Sequence, residues 1–287
     1  MNLHVRRQCR NAIALVMGCL ATLFGLGCLA WILWVTVSHG LAAFDVSLFT
    51  EITARGPDGG LANAIVGSLI MDLMAIAMCA PVGVLAGIWL AEYATHSRLG
   101  SMIRFLNDIL LSAPSIVLGL FVYVVVVLPM TSLTHGATTF SALAGALALA
   151  LIGLPVIVRN TDAMLQLVPG TLREAALSLG LPQWKLTLNM LMRAAGPGIV
   201  TGVLLALARL AGETAPLLFT AFGNNFMATG PLDKMASVPA TIYQYTNAPD
   251  PQLHAMAWAG ALLITIFVLA LSLLARAFVS RKSMSHE

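Results

Sequence analysis

Six long apolar stretches, parted by shorter polar segments, set the rhythm of the chain. They cover approximately 12–37, 62–90, 108–130, 140–158, 196–221 and 254–279. Each is close to or above the roughly 20 residues that a helix needs to cross a hydrocarbon layer. Within them apolar residues run on without alternating with polar ones, which argues against the two-residue period of a membrane β-barrel. The pattern predicts an all-α, polytopic membrane protein with about six transmembrane helices. Residues 1–61 read as an N-terminal anchor helix and first outer loop. Residues 62–280 read as a core of five helices interrupted by a long polar loop at 159–195.

Composition agrees. Of 287 residues, 59% are hydrophobic and 9% charged, where soluble domains carry about 25% charged residues. Arg6, Arg7 and Arg10 precede the first stretch, but the run from Ala12 to Val37 is longer than the core of a secretory signal and reads as an uncleaved anchor. With the N-terminus in the cytoplasm, only Arg55 and Lys234 fall outside and Arg209 lies within a span; every other Lys and Arg falls inside. This satisfies the positive-inside rule and puts both termini in the cytoplasm. The net charge of +3 is then a matter of topology and gives no reason to expect nucleic acid. Arg98 and Arg104 are placed to meet lipid phosphates, and Trp31, Trp34 and Trp258 suit interfacial anchors.

Enzyme chemistry is not visible. Cys9, Cys19, Cys28 and Cys79 lie in or beside apolar stretches without metal-ligand spacing. None of Lys185, Lys234 and Lys282 follows a glycine, so there is no P-loop for ATP. No metal cluster or nucleophile elbow appears either, and no cofactor is expected in this chain.

The polar loop carries the strongest local signals. Thr171 and Glu174 form a T-x-x-E capping box that predicts a helix from Leu172. Gly180 is a left-handed stop, and Pro182 fits the first turn of a second short helix running toward Met192. Ala175, Ala176 and Ser178 form a small face that another protein could approach closely; an amphipathic helix lying on the membrane has the same spacing.

The charges inside the spans are the costly ones, about 2.5–3.5 kcal/mol or more each at mid-bilayer. Arg209 and Glu213 are four residues apart and are expected to share a helix face beside a kink at Pro216. A guanidinium matches oxyanion geometry, so the pair is either an anion pathway or a structural lock. Asp72 is open between a proton relay, a partner for Arg209 and a hydrogen bond to Ser68. Asn107 is expected to cap span three, with Asp108 in its first turn facing the helix dipole. Pro81, Pro114, Pro155 and Pro216 are expected gating bends.

Glu174-Ala175-Ala176 followed by Gly180, in a long cytoplasmic loop before the penultimate span, resembles the EAA motif of ABC-importer permeases. The family pattern then runs to I-x-L-P, where this chain has Met190-Leu191-Met192-Arg193. The segments ARLAGETAPLLFTAF (208–222), APSIVLGLF (113–121) and MAWAGALLITIFVLALSLLAR (256–276) are similar to the phosphate-specific branch of that family. The resemblance implies a type I ABC-importer permease of MetI-like fold in a bacterial inner membrane. It implies a second, homologous permease, an ATPase dimer binding ATP and Mg, and a periplasmic phosphate-binding protein that delivers phosphate. Mapped here, Arg209 and Glu213 fall in the segment linked to phosphate passage, and Glu174, Ala175, Ala176 and Gly180 on the ATPase contact. The rivals are an importer of another oxyanion, such as molybdate or sulfate, and a proton-coupled secondary carrier using Asp72, Arg209 and Glu213.

Overall fold

The computed structural model describes residues 3–133 and 140–283. Among them there is no strand, and a single parallel bridge joins Phe222 to Met235. Six helices are long and apolar enough to cross a membrane. The main elements are α1 (Leu3–Ala42), α2 (Ala62–Glu92), α3 (Arg98–Ser112), α4 (Ser115–Val122), α5 (Ala142–Gln166), α6 (Gly170–Ser178), α7 (Met192–Leu210), α8 (Ala215–Thr220), α9 (Val238–Thr246) and α10 (Pro251–Ser283). A π turn, Tyr123–Val127, prolongs α4 into Leu128–Leu133. A second one, Thr187–Leu191, joins the short helix Gln183–Leu186 to α7 without a break.

The bundle is wrapped around α5, which packs on α2, α3, α4, α7 and α8. Its sequence explains this. Alternating Ala and Leu with Gly145 and Gly153 gives a thin helix that neighbours can approach closely, the usual means of packing in lipid. α2 supplies the matching surface with Gly83 and Gly87, a G-x-x-x-G pair. A Cβ added to Gly87 would lie 2.5 Å from the Thr161 Cβ, and one on Gly83 2.8 Å from the Ile157 Cγ2. The central core joins Met71, Ala75 and Cys79 to Leu149, Ile152 and Ile157, and to Leu210 and Leu217.

The N-terminal helix stands apart from this core. Near its outer end Gly40 closes on Leu262, and His39 stacks on Trp258 at 5.2 Å, tying α1 to α10. The loops 38–61 and 222–253 are stapled by Asn63, which accepts from the Thr53 N–H at 3.0 Å and donates to the Asn224 carbonyl at 2.7 Å.

Several expected boundaries move. Span three starts at Ser115, because Ser97 caps a separate helix, α3, that ends before Pro114. Asn107 therefore does not cap the span; it lies within α3 and donates to the Pro155 carbonyl at 3.1 Å. Asp108 is not in a first turn either, and it pairs with Arg159. Span five begins at Gln183 and stops at Leu210, well short of 221. The outer turn expected around Thr131–Thr139 falls mostly outside the described residues.

Candidate functional site

The elbow in the polar loop is built much as the glycine signal requires. Gly180 has φ +75°, the Leu181 N–H reaches the Ala176 carbonyl at 3.3 Å, and the Gly180 N–H reaches Leu177 at 2.9 Å. This paired closure is a Schellman motif, and Leu181 packs against the cluster that contains Ala176. Two expectations are corrected. The capping box does not form, since α6 already starts at Gly170 behind an extended Pro169, so Thr171 sits inside the first turn. The second limb is not a separate short helix, because it is the foot of span five, with Pro182 as its N-cap.

Glu174, Ala175, Ser178 and Gly180 are exposed on the elbow, with Leu179 beside them. Ala176 is the exception. It is 1% exposed, held under the elbow against Leu165, Leu186 and Leu191, so its small size serves the chain's own packing.

Arg209 and Glu213 sit where span five breaks. Pro216 has no N–H for the Gly212 carbonyl, so the ladder stops at Leu210 and restarts at Ala215, with Pro216 in the first turn of α8. The break is deep in the bundle. Leu210 lies against Gly153, near the middle of α5, and α8 continues to the outer end of α5, where the Thr220 carbonyl accepts from the Ser141 N–H at 3.1 Å. The close approach of Gly119 to Pro216 fixes α4 against α8.

The ion pair itself is loose. Arg209 Nε lies 3.9 Å from Glu213 Oε1, with the side chains 50% and 16% exposed. That separation is beyond a hydrogen bond. Among the described residues nothing else contacts the guanidinium through a hydrogen bond or ion pair, so its fork of donors stays open.

Two bidentate ionic contacts lie at the end of the bundle that carries the elbow. Arg104 grips Asp162 through Nε at 2.8 Å and Nη2 at 3.2 Å, and donates to the Leu90 carbonyl at 2.7 Å. The Asp162 hydrogen bond holds the Arg104 pKa above its ordinary value. Arg173 grips Glu92 in the same bidentate way. Arg104, expected from the sequence to meet lipid phosphates, is instead engaged by Asp162, and Arg173 carries no expectation beyond topology. Acidic residues at the ends of apolar stretches were the available signal, because a carboxylate there needs a partner.

Asp72 is 5% exposed and pairs with neither of its expected partners. Ser68 instead accepts from the Val238 N–H at 2.9 Å. The Asp72 side chain lines a cavity of about 410 Å³ among Ile65, Leu69, Ala211, Val238 and Ile264. Of the expected bends, Pro81 and Pro155 lie inside continuous helices, whereas Pro114 separates α3 from α4 and Pro216 opens α8. Among the described residues, no group of three His, Cys, Asp or Glu side chains could hold a metal.

The structure is thus a helical membrane bundle with an exposed elbow at the foot of span five. A chain of the inward-facing MetNI methionine ABC transporter superimposes with a TM-score of 0.56 at 19% identity, covering 79% of this chain and 96% of that one. The class is an ABC-importer permease of MetI-like fold.

Residues 83–284 match the family described as binding-protein-dependent transport system inner membrane component, and the chain belongs to it. The phosphate transport system permease protein PstA of Xylella fastidiosa (strain Temecula1 / ATCC 700964) is 53% identical over 284 residues, spanning 99% of this chain and 97% of that protein. PstA of Pasteurella multocida (strain Pm70) is 49% identical over 278 residues, spanning 96% and 97%. PstA 1 of Mycobacterium tuberculosis (strain ATCC 25618 / H37Rv) is 36% identical over 281 residues, spanning 95% and 88%. The protein is thus a multi-pass inner-membrane component.

Proposed function

We propose that this chain is a membrane permease subunit of an ATP-driven importer of inorganic phosphate. The names of its relatives support the cargo, and one observation in this chain supports the route: the open guanidinium of Arg209 where span five breaks. A structural lock would bury the pair and join it bidentately, as Arg104 and Arg173 join theirs. Arg209 instead keeps its donors free for an oxyanion. Glu213, close but not bonded, tempers the positive field, and conduction needs a site weak enough to be left again.

The pathway is completed by a homologous second permease (PstC-like). A cytoplasmic ATPase dimer (PstB-like) carries ATP and Mg and docks on the elbow at Glu174, Ala175 and Gly180. A periplasmic phosphate-binding protein (PstS-like) meets the outer loops, 38–61 and 222–253. Both termini face the cytoplasm. ATP drives transport by favouring one of two bundle states, which requires a stiff link between elbow and spans.

The test is copurification of the tagged chain from native membranes, with mass spectrometry and phosphate uptake by vesicles. A second permease, an ATPase and vanadate-sensitive phosphate uptake are expected. Uptake of sulfate or molybdate in place of phosphate overturns the cargo. A chain that purifies alone and takes up phosphate on a proton gradient overturns the class.

A further inference from the structure

We infer that Arg173 is the positioning residue that ties the elbow to the cytoplasmic ends of α2 and α5, so that movement of the elbow is passed into those spans. From α6 its guanidinium reaches α2, α5 and the turn just after α5. Nε and Nη2 donate to the Glu92 carboxylate at 3.3 and 2.8 Å, Nη1 donates to the Val168 carbonyl at 2.7 Å, and Nη2 to the Leu165 carbonyl at 2.7 Å. Glu92 is the last residue of α2, with its side chain only 3% exposed. Leu165 belongs to the last turn of α5, and Val168 lies just beyond it. The other limb of the elbow joins the same point, since Gln183 Nε2 donates to the Glu92 carbonyl at 2.7 Å.

This geometry makes the link stiff. The guanidinium adds a donor to carbonyls in and just beyond the last turn of α5, and its charge beside the C-termini of α5 and α2 complements both dipoles. Its paired bonds to a carboxylate fix direction as well as distance. For α6 to tilt alone, a nearly buried carboxylate would have to lose its cation, which is strongly unfavourable. The ends of α2 and α5 therefore travel with it. The two faces of α6 divide the work: Glu174 and Ala175 point outward, while Arg173 and Ala176 face the bundle.

The inference rests on the docking of the elbow against an ATPase proposed above, and the experiment separates the two. The complete importer is reconstituted with Arg173→Ala, Arg173→Lys or Glu92→Gln, each in a chain carrying Ala175→Cys for crosslinking to the ATPase. Phosphate imported and ATP hydrolysed are measured together. Arg173→Ala is expected to assemble, to crosslink and to allow hydrolysis, with phosphate moved per ATP falling at least tenfold. Arg173→Lys and Glu92→Gln are expected to fall less, since each keeps part of the bonding. An unchanged ratio in Arg173→Ala overturns the tie. Loss of assembly in all three variants also overturns it, because Arg173 would then serve only folding. If Ala175→Cys captures no ATPase even beside native Arg173 and Glu92, the docking reading itself falls.

Discussion

Arg104 and Arg173 each hold a carboxylate with two nitrogens, whereas Arg209 stays 3.9 Å from its carboxylate. A pair too far apart for a hydrogen bond ties nothing together, so replacing Arg209 should leave the fold intact. Arg209→Gln is expected to abolish uptake, by more than tenfold, while the subunits still copurify. Loss of copurification would make the pair a structural lock. Arg209 and Glu213 do come near each other, but not on one helix face as expected, because α7 ends at Leu210 and Glu213 lies in the break before α8. Ala176 was not legible. Three small residues looked equivalent on α6, and only the packing of Leu165, Leu186 and Leu191 beneath one of them distinguishes it.

Among the elements, helix centres were readable and helix ends were not. Ile109, Leu110 and Leu111 run into the apolar residues after Pro114, so one hydrophobic stretch hid two helices. The deciding features were local: the Ser97 side chain accepts from the Gly100 N–H at 2.9 Å, and Pro114 is extended. Span five misled in the same way, because Gly212 and Pro216 sit inside a run that is apolar on both sides of Arg209 and Glu213. The closeness of α2 and α5 was written as Gly83 and Gly87, but that pair has meaning only once Ile157 and Thr161 are opposite. Gly87→Val would force a side chain onto the Thr161 Cβ and onto the Val158 carbonyl, 2.9 Å from a Cβ at that site. Overpacking of this kind costs about 1–3 kcal/mol. The expected outcome is a lower unfolding temperature of the detergent-solubilised complex and a reduced folded yield; an unchanged temperature would mean the two helices separate easily.

For the molecule as a whole, the distribution of Lys and Arg predicts an orientation that packing alone does not, since charge bias acts at insertion. That orientation is testable in a cysteine-free chain. Asn225→Cys is expected to react with an impermeant maleimide from the outer side, and Ser178→Cys only after the cytoplasmic side is opened. The reverse pattern would invert the topology and put the elbow out of reach of ATP. What a single sequence did not disclose was how its helices are shared out, because the apolar face of α1 is left open along most of its length.

The π turn at Thr187–Leu191 has a geometric consequence for the elbow above it. A π turn holds one more residue than the α turn it replaces, and the ladder resumes on the far side. Each residue of an α-helix advances the chain by about 100° around its axis. The extra residue therefore sets the compass bearing of Glu174 and Gly180 relative to Arg209, whatever the side chains in the turn. Deleting a single position there would put the elbow, held to Glu92 by Arg173 and Gln183, out of register with Arg209 by roughly a quarter of a circle, so the bearing of one on the other is stored as a count of residues.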